Sequence, residues 1–319
     1  MPLTKEDVAL RRTGLTASDM VALSGTVHFK RARTAHDVWM DKCCPELVQR
    51  TEISEAMELG NAAESLIVAQ AARKLRMAVD YPQRSRRHRE VPWKICTPDG
   101  IVVGNTEHVG VVQSSLSHEH MTEEGLLEAK LVGLHMAPYW DAAHENDEGP
   151  PEYVYVQVCW GMHVLDLPYA YVAAMIGTQI RTYKVEFGDG ERELCEALTE
   201  IGEKFLVDHV RSKKPPPVDG SDNARRMLSS LHRRPDGIVI QADESDEAVA
   251  RTFFEAKKMR AQFEQQMNQA EAHLMAKIGD HQGIAGDGWV ANWRARHSYD
   301  VEQYHVNTGR VFAMKAGKR

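Results

Sequence analysis

The chain lacks a cysteine framework. Its five cysteines, Cys43, Cys44, Cys96, Cys159 and Cys195, show no C-x-x-C spacing. An odd, scattered set argues against a disulfide scaffold, a zinc ribbon or an iron–sulfur cluster, and for reduced thiols in a cytoplasmic setting. No apolar run approaches the roughly 18 residues of a membrane span. The start, Met-Pro-Leu-Thr-Lys-Glu-Asp, has no secretory-signal pattern, so no membrane partner is expected. Positive charge is in deficit too: 39 Lys and Arg against 46 Asp and Glu leave a net −7. That balance does not advertise nucleic-acid binding, but it leaves room for a local basic track. No internal repeat is present.

What is there suits an ordinary globular protein. Of 319 residues, 43% are hydrophobic and 27% charged, enough to bury a sizeable core. Basic residues cluster at Arg11-Arg12, Lys30 to Arg33, Arg84 to Arg89, Arg211 to Lys214 and Lys315 to Arg319. Hydrophobic spacing predicts a short helix, a loop and a second helix over 5–40. It also predicts helices over 52–77, 151–165, 189–210 and 243–278. Strands are expected over 79–103 and 125–132, a hairpin over 169–187 around Gly177-Thr178, and a small sheet after Gly286. Residues 104–124 are expected to be an irregular insertion. The triple proline at 215–217 marks a boundary: 1–217 is one domain, 218–242 a linker and 243–319 an extension of long helix plus small β element.

The chemistry concentrates in two strand ends. Pro98-Asp99 lies near the end of one. Glu128-Ala129-Lys130 lies in the other, within Gly-Leu-Leu-Glu-Ala-Lys. Residues two apart on a strand share a face, so Glu128 and Lys130 point the same way. Two carboxylates on adjacent strands can hold a divalent cation, and a lysine beside them would sit next to a scissile phosphate. The pattern alone is also met at solvated strand edges. On the 52–77 helix, Gly60, Glu64 and Ile67 share a face. A glycine one turn before Glu64 would let another backbone pack close. On the 151–165 helix, Tyr153, Gln157 and Trp160 align.

The order of these motifs is more specific than any one of them. Arg11-Arg12 through Ser18-Asp19, Glu58-Leu-Gly60 through Glu64, Pro98-Asp99-Gly100, Leu127-Glu128-Ala129-Lys130 and Tyr155-Val-Gln157 together resemble the YqaJ-like family of phage recombination nucleases, in the PD-(D/E)xK superfamily. The resemblance runs over about residues 8–217. It implies an α/β, restriction-endonuclease-like core, a central mixed sheet flanked by helices. It implies a magnesium-dependent deoxyribonuclease that digests double-stranded DNA ends 5′-to-3′ for recombination by strand annealing. The other readings are a restriction-like endonuclease and an inactive DNA-binding recombination accessory protein.

The resemblance also assigns roles. Glu64, Asp99, Glu128 and the Ala129 carbonyl would hold two Mg2+ ions, with Mn2+ able to substitute. Lys130 would orient the nucleophile or stabilise developing charge, with Gln157 beside it. Ser18 and one of Arg11 or Arg12 would hold a DNA phosphate. A single-strand annealing protein and a homo-oligomer, a ring trimer by analogy, are the implied protein partners. Two departures stand out: the gap between Asp99 and Glu128 is long, and Ala129 stands where the family often has Ile.

Each residue also has a plainer reading. Ser18 fits a helix N-cap, and Gln157 fits a backbone cap. His118 and His120 fit a solvated loop better than a magnesium site. Trp289 and Trp293 fit a small apolar core better than a base-stacking platform.

Overall fold

The computed structural model describes residues 3–26, 32–48, 55–103, 109–112, 124–140, 149–234, 236–295, 300–301, 304–305 and 310–316, and side chains as far as residue 293. The chain divides into two compact units, Met1–Arg234 and Pro235–Arg319.

The first unit is built on a mixed sheet. Its strands are β1 (Ala78–Asp80), β4 (Gly100–Val103), β5 (Gly110–Val112), β6 (Glu124–Val132), β7 (Tyr169–Ile176) and β8 (Gln179–Glu186), in the order β5-β1-β4-β6-β7-β8. The β1–β5 and β6–β7 pairs are parallel; the rest are antiparallel. A small ribbon, β2 (Arg86–Arg87) with β3 (Ile95–Cys96), lies beside it. β6 is central and buried on both sides, which its Leu-Leu-Glu-Ala-Lys-Leu-Val run permits. The expected insertion at 104–124 therefore contains an edge strand, β5; His118 and His120 lie outside the described residues.

Helices cover both faces. α4 (Glu55–Leu75) lays Ile67, Val68, Ala71 and Ala72 on Val79, Val102 and Leu127. The other face carries α2 (Ala17–Ser24), α3 (Ala35–Cys43), α5 (Glu152–Leu165) and α6 (Asp189–Phe205), packed around Leu126, Trp160 and Met162. The alternation of β6 thus sends Leu127 and Ala129 toward α4, and Leu126, Glu128 and Lys130 toward α5.

Several expectations need correction. Residues 5–40 hold three helices, not two, because α1 (Lys5–Arg12), α2 and α3 are each started by a capping box, Thr4–Asp7, Thr16–Asp19 and Thr34–Asp37. The α2 N-cap is Thr16, not Ser18. Nothing packs within 4 Å of where a Cβ would stand on Gly60, so that glycine does not admit a neighbouring backbone. The expected linker contains α7 (Asp222–Leu231), whose Asn223, Ala224 and Met227 are buried. Asn223 Nδ2 donates to the Ala32 carbonyl at 2.7 Å and to Asp37 Oδ2 at 2.6 Å. The triple proline ends one helix without ending the unit.

Part of the basic sequence is structural. Asp19, 1% exposed, is paired with Arg33 at 2.7 Å and Lys42 at 2.8 Å. Burial works against its charge, but the two cations override it and hold its carboxyl below the ordinary range. Asp19→Ala should destabilise the chain by about 3–5 kcal/mol, because it leaves a buried ammonium without its partner. Urea unfolding reads this; a loss under 1 kcal/mol would mean the pair contributes little.

A second buried pair predicts a pH response. Lys94 Nζ lies 2.8 Å from His163 Nε2, over the Trp160 ring. Burial, then Lys94 and His88, push His163 down to about 4. Its folded value lies below the ordinary 6.5, so the unfolded chain takes up the proton first. The neutral imidazole is therefore fully compatible with the fold above pH 6.5, and stability is lost as pH falls toward 4. His163→Gln should flatten that part of a melting-temperature-against-pH curve. An unchanged slope would exclude the pair as its source.

The second unit holds α8 (Glu244–Ile278), started by an Asp243–Asp246 capping box. A sheet of β9 (Gly283–Gly286), β10 (Trp289–Ala295) and β13 (Arg310–Ala316) follows, in the order β13-β10-β9. Two short paired strands, β11 (Asp300–Val301) and β12 (Tyr304–His305), lie between β10 and β13 in sequence. The Trp289 ring lies over Gly286, and Ala291 and Ile278 are buried, in keeping with a small apolar core.

Candidate active site

The site grows out of the β4–β6 register. Gly100 pairs with Leu127, so Asp99 stands just off the end of β4, beside Glu128. The Ala129 N–H donates to Asp99 Oδ2 at 2.8 Å and holds that carboxylate against β6. Glu128, 4% exposed, has its carboxylate met by two donors on one oxygen. Lys130 Nζ and Gln157 Nε2 each reach Oε1 at 2.5 Å. Lys130 also donates to Gln157 Oε1 at 3.0 Å. Gln157 therefore closes a triangle from α5 and fixes the lysine head. It is not a backbone cap.

The charges shape one another. Burial, then Glu128, push the Asp99 carboxyl well above the ordinary carboxylate range, although Lys130 and the Ala129 N–H pull the other way. Burial disfavours the Lys130 ammonium, but Glu128 and Asp99 overcome it and hold the lysine charged, above its usual range. Glu64, on α4, adds to the negative field at Asp99. It is hydrogen-bonded by the Tyr81 hydroxyl, which burial and this carboxylate push up to about 12.

Glu64, Asp99, Glu128, Ala129, Lys130 and Gln157 line one cleft of about 390 Å³, together with Arg11 and Ser18. Arg11 donates to Thr97 Oγ1 at 3.1 Å and to Ser18 Oγ at 3.4 Å. Arg12 is exposed and is not among the lining residues. The choice between the two arginines is thus made by the direction each takes from α1. Gly14 makes the placement possible: a Cβ there would stand 2.1 Å from the Trp93 carbonyl oxygen. The α1–α2 turn can therefore lie flat on the chain before β3, with Leu15 N–H bonded to that carbonyl at 2.8 Å.

The residues suit a hard cation. Asp99, Glu128, Glu64 and the Ala129 carbonyl are oxygen donors, as magnesium requires. Among the described residues, no three Asp, Glu, His or Cys side chains converge as a ready-made cage. Magnesium does not demand one: one or two carboxylates, waters and substrate phosphate usually suffice. The raised Asp99 carboxyl marks a place short of positive charge.

The comparison with protein families decides the assignment. Residues 8–168, just over half of the chain, match the YqaJ-like viral recombinase domain. The chain belongs to this family. The matched span contains Arg11, Ser18, Glu64, Asp99, Glu128, Ala129, Lys130 and Gln157 of the cleft. No curated protein matches the chain. Among solved structures, an alkaline exonuclease from Laribacter hongkongensis is 17% identical with a TM-score of 0.48, over 72% of this chain and 100% of that one. The same exonuclease in complex with dAMP is 18% identical with a TM-score of 0.49, over 66% and 94%. A phage related exonuclease from Haemophilus somnus 129PT is 12% identical with a TM-score of 0.43, over 65% and 99%. The family assignment rests on the residue match, not on these.

Other residues of this YqaJ-like cleft carried no clear sequence signal. Asp7 accepts the Ser85 N–H at 2.9 Å and Arg84 at 3.1 Å. Burial opposes its charge, but these donors and Thr4 hold its carboxyl below the usual range. Arg84 sits in the 84–89 basic run, whose sequence does not single it out. Thr97 does have a neighbour as signal: it precedes Pro98-Asp99 and binds both Arg11 and Ser85. Among the described residues, no helix is long and apolar enough to cross a membrane.

Proposed function

We propose that this chain is a magnesium-dependent nuclease acting on DNA, and an exonuclease that digests duplex ends 5′-to-3′ in recombination by strand annealing. The observation that carries this reading is the Lys130–Glu128–Gln157 triangle set against Asp99 in a cleft that also holds Arg11 and Ser18. The triangle places a fixed ammonium among carboxylates. A cation held by Asp99, Glu128 and the Ala129 carbonyl, with Glu64 nearby, would neutralise phosphate charge and make a bound water more acidic. Lys130 stays protonated and offers its positive head to the negative charge that develops on the oxygens of the pentacoordinate transition state. Gln157 keeps that head in place without neutralising it. Arg11 presents a guanidinium, and Ser18 a hydroxyl, to a phosphate further along the cleft. The nuclease domain extends to Arg234, through α7. A single-strand annealing protein is the partner such an activity needs.

The test is digestion of end-labelled linear duplex with magnesium, beside closed circular duplex. Linear DNA should be degraded from its ends, circles should survive, and EDTA should stop the reaction while manganese restores it. Circles cut as fast as linear DNA would make this an endonuclease. No cleavage of any DNA in magnesium or manganese would leave a binding protein.

The two arginines separate in a finer test. Arg11→Ala should slow digestion of 5′-phosphorylated ends by about tenfold or more, and of 5′-hydroxyl ends much less. A charged phosphate contact is worth roughly 1.5–3 kcal/mol. Arg12→Ala should leave both rates within about twofold. Equal losses on both ends for Arg11→Ala would leave only general attraction to the backbone.

A further inference from the structure

Three cations line the cleft among the described residues, and two of them, Arg11 and Lys130, already have roles there. The third is Arg84. It alone of the three is exposed, its side chain at 64%. Its Nη1 donates to Asp7 Oδ2 at 3.1 Å, and the rest of the guanidinium is unengaged among the described residues. Asp7 is buried but does not need this partner. The Thr4 N–H reaches its Oδ2 at 3.1 Å, the Thr4 hydroxyl the same oxygen at 2.7 Å, and the Ser85 N–H its Oδ1 at 2.9 Å. An exposed ion pair adds little to stability. Asp7 does more for Arg84 than Arg84 does for the fold. It holds a long side chain at the cleft before any ligand arrives, so less freedom is lost on binding.

The anchors of the two arginines are linked. Asp7 and Arg11 stand four apart on α1, so they share one face about one turn apart. Ser85, whose N–H meets Asp7, has its hydroxyl bonded to Thr97 Oγ1 at 2.6 Å, and Thr97 accepts Arg11 Nη1. One hydrogen-bonded line thus sets two guanidiniums along one cleft wall. Resting on the nuclease reading above, we propose that Arg84 holds an internal phosphate of the strand whose 5′-terminal phosphate meets Arg11 and Ser18, with Asp7 as its positioning residue. A planar guanidinium fork suits phosphate oxygens. The charge balance favours such a contact. Four carboxylates, Asp7, Glu64, Asp99 and Glu128, line the same cleft in a chain of net charge −7. A polyanion entering it is repelled except where a cation faces it.

Steady-state digestion and DNA binding by the full-length chain test the contact. Arg84→Gln should raise KM for linear duplex by about tenfold and leave kcat within about twofold. The factor should be the same for 5′-phosphorylated and 5′-hydroxyl ends, since an internal phosphate is present in both. Fluorescence anisotropy with a labelled duplex, calcium replacing magnesium, should give a slope of log Kd against log salt shallower by about one. Arg89→Gln lies in the same basic run but outside the cleft, and should move KM by less than about twofold. Asp7→Asn should raise KM by about threefold or more alone, and not at all beside Arg84→Gln, because its effect passes through the guanidinium. A KM and a salt slope that Arg84→Gln leaves unchanged would overturn the contact while the nuclease reading stands. A larger loss on phosphorylated ends would overturn it too, by moving Arg84 to the terminal site. Equal Asp7→Asn losses with and without Arg84 would remove Asp7 as its positioning residue. A wild-type chain that cuts no DNA would end the nuclease reading, and the salt slope would still decide whether Arg84 meets a phosphate.

Discussion

Asp99→Asn is expected to abolish DNA hydrolysis, with a loss of at least about a thousandfold in kcat, or about 4 kcal/mol. The substitution keeps the shape of the side chain and can still accept the Ala129 N–H, so the strand ends need not move. What disappears is the negative charge that would help hold a cation against the phosphate. The stability effect should run the other way. Burial and Glu128 hold the Asp99 carboxyl above its ordinary value of 3.8. Folding therefore becomes less favourable as pH rises from that value through the raised one, while the unfolded chain ionises freely. Asparagine has no charge to hold. The variant should melt above wild type at neutral pH, and the difference should shrink near pH 4. Magnesium should raise the wild-type melting temperature, by about 2.7 kcal/mol of stability at a hundredfold excess over its Kd, and raise that of the variant far less. Thermal shift assays with and without magnesium read both effects. A variant that keeps full activity would remove Asp99 from the site. One that melts lower at neutral pH would mean the carboxylate supports the fold instead of straining it.

Lys130→Ala should lower kcat by a hundredfold or more, about 2.7 kcal/mol, with KM for DNA changed by less than about threefold. The reason lies in the triangle. Lys130 is already engaged by Glu128 and Gln157 before DNA arrives, so its contribution to binding an undistorted phosphate is small. Its charge counts when negative charge builds on the oxygens around phosphorus. Gln157→Ala should show a smaller fall in kcat, because the ammonium remains but loses one anchor. A Lys130→Ala enzyme with normal kcat and a KM raised a hundredfold would make the lysine an ordinary phosphate contact.

Much of this site was legible in the chain alone, for a local reason. Asp99 stands just before β4, and Glu128 and Lys130 sit inside β6, strands that their β-branched and apolar neighbours announce. The two-residue alternation of a strand puts Glu128 and Lys130 on one face wherever that strand ends up. The 3.6-residue period of α5 likewise presents Gln157 on the face that carries Trp160. The hairpin expected over 169–187 and the long helix expected over 243–278 follow from the same periodicities, whereas the mixed sheet flanked by helices was implied only by the family resemblance.

Tertiary structure decided what periodicity cannot encode. Arg11 and Arg12 are chemically identical neighbours, and only the lie of α1 against Thr97 and Ser18 sends one into the cleft and the other to solvent. Thr16, not Ser18, caps α2, and the Ser18 hydroxyl lines the cleft, bonded to Thr16 and Arg11. Gly60 was expected to admit a close neighbour and instead faces open space along the cleft wall. The 218–242 stretch looked like a linker because the triple proline at 215–217 precedes it. Yet α7 packs there through Asn223, which binds residues near 34 in a contact no local pattern signals. Local geometry is written by neighbours three or four positions away. Which surfaces meet across scores or hundreds of positions depends on the shapes of both partners once they are folded.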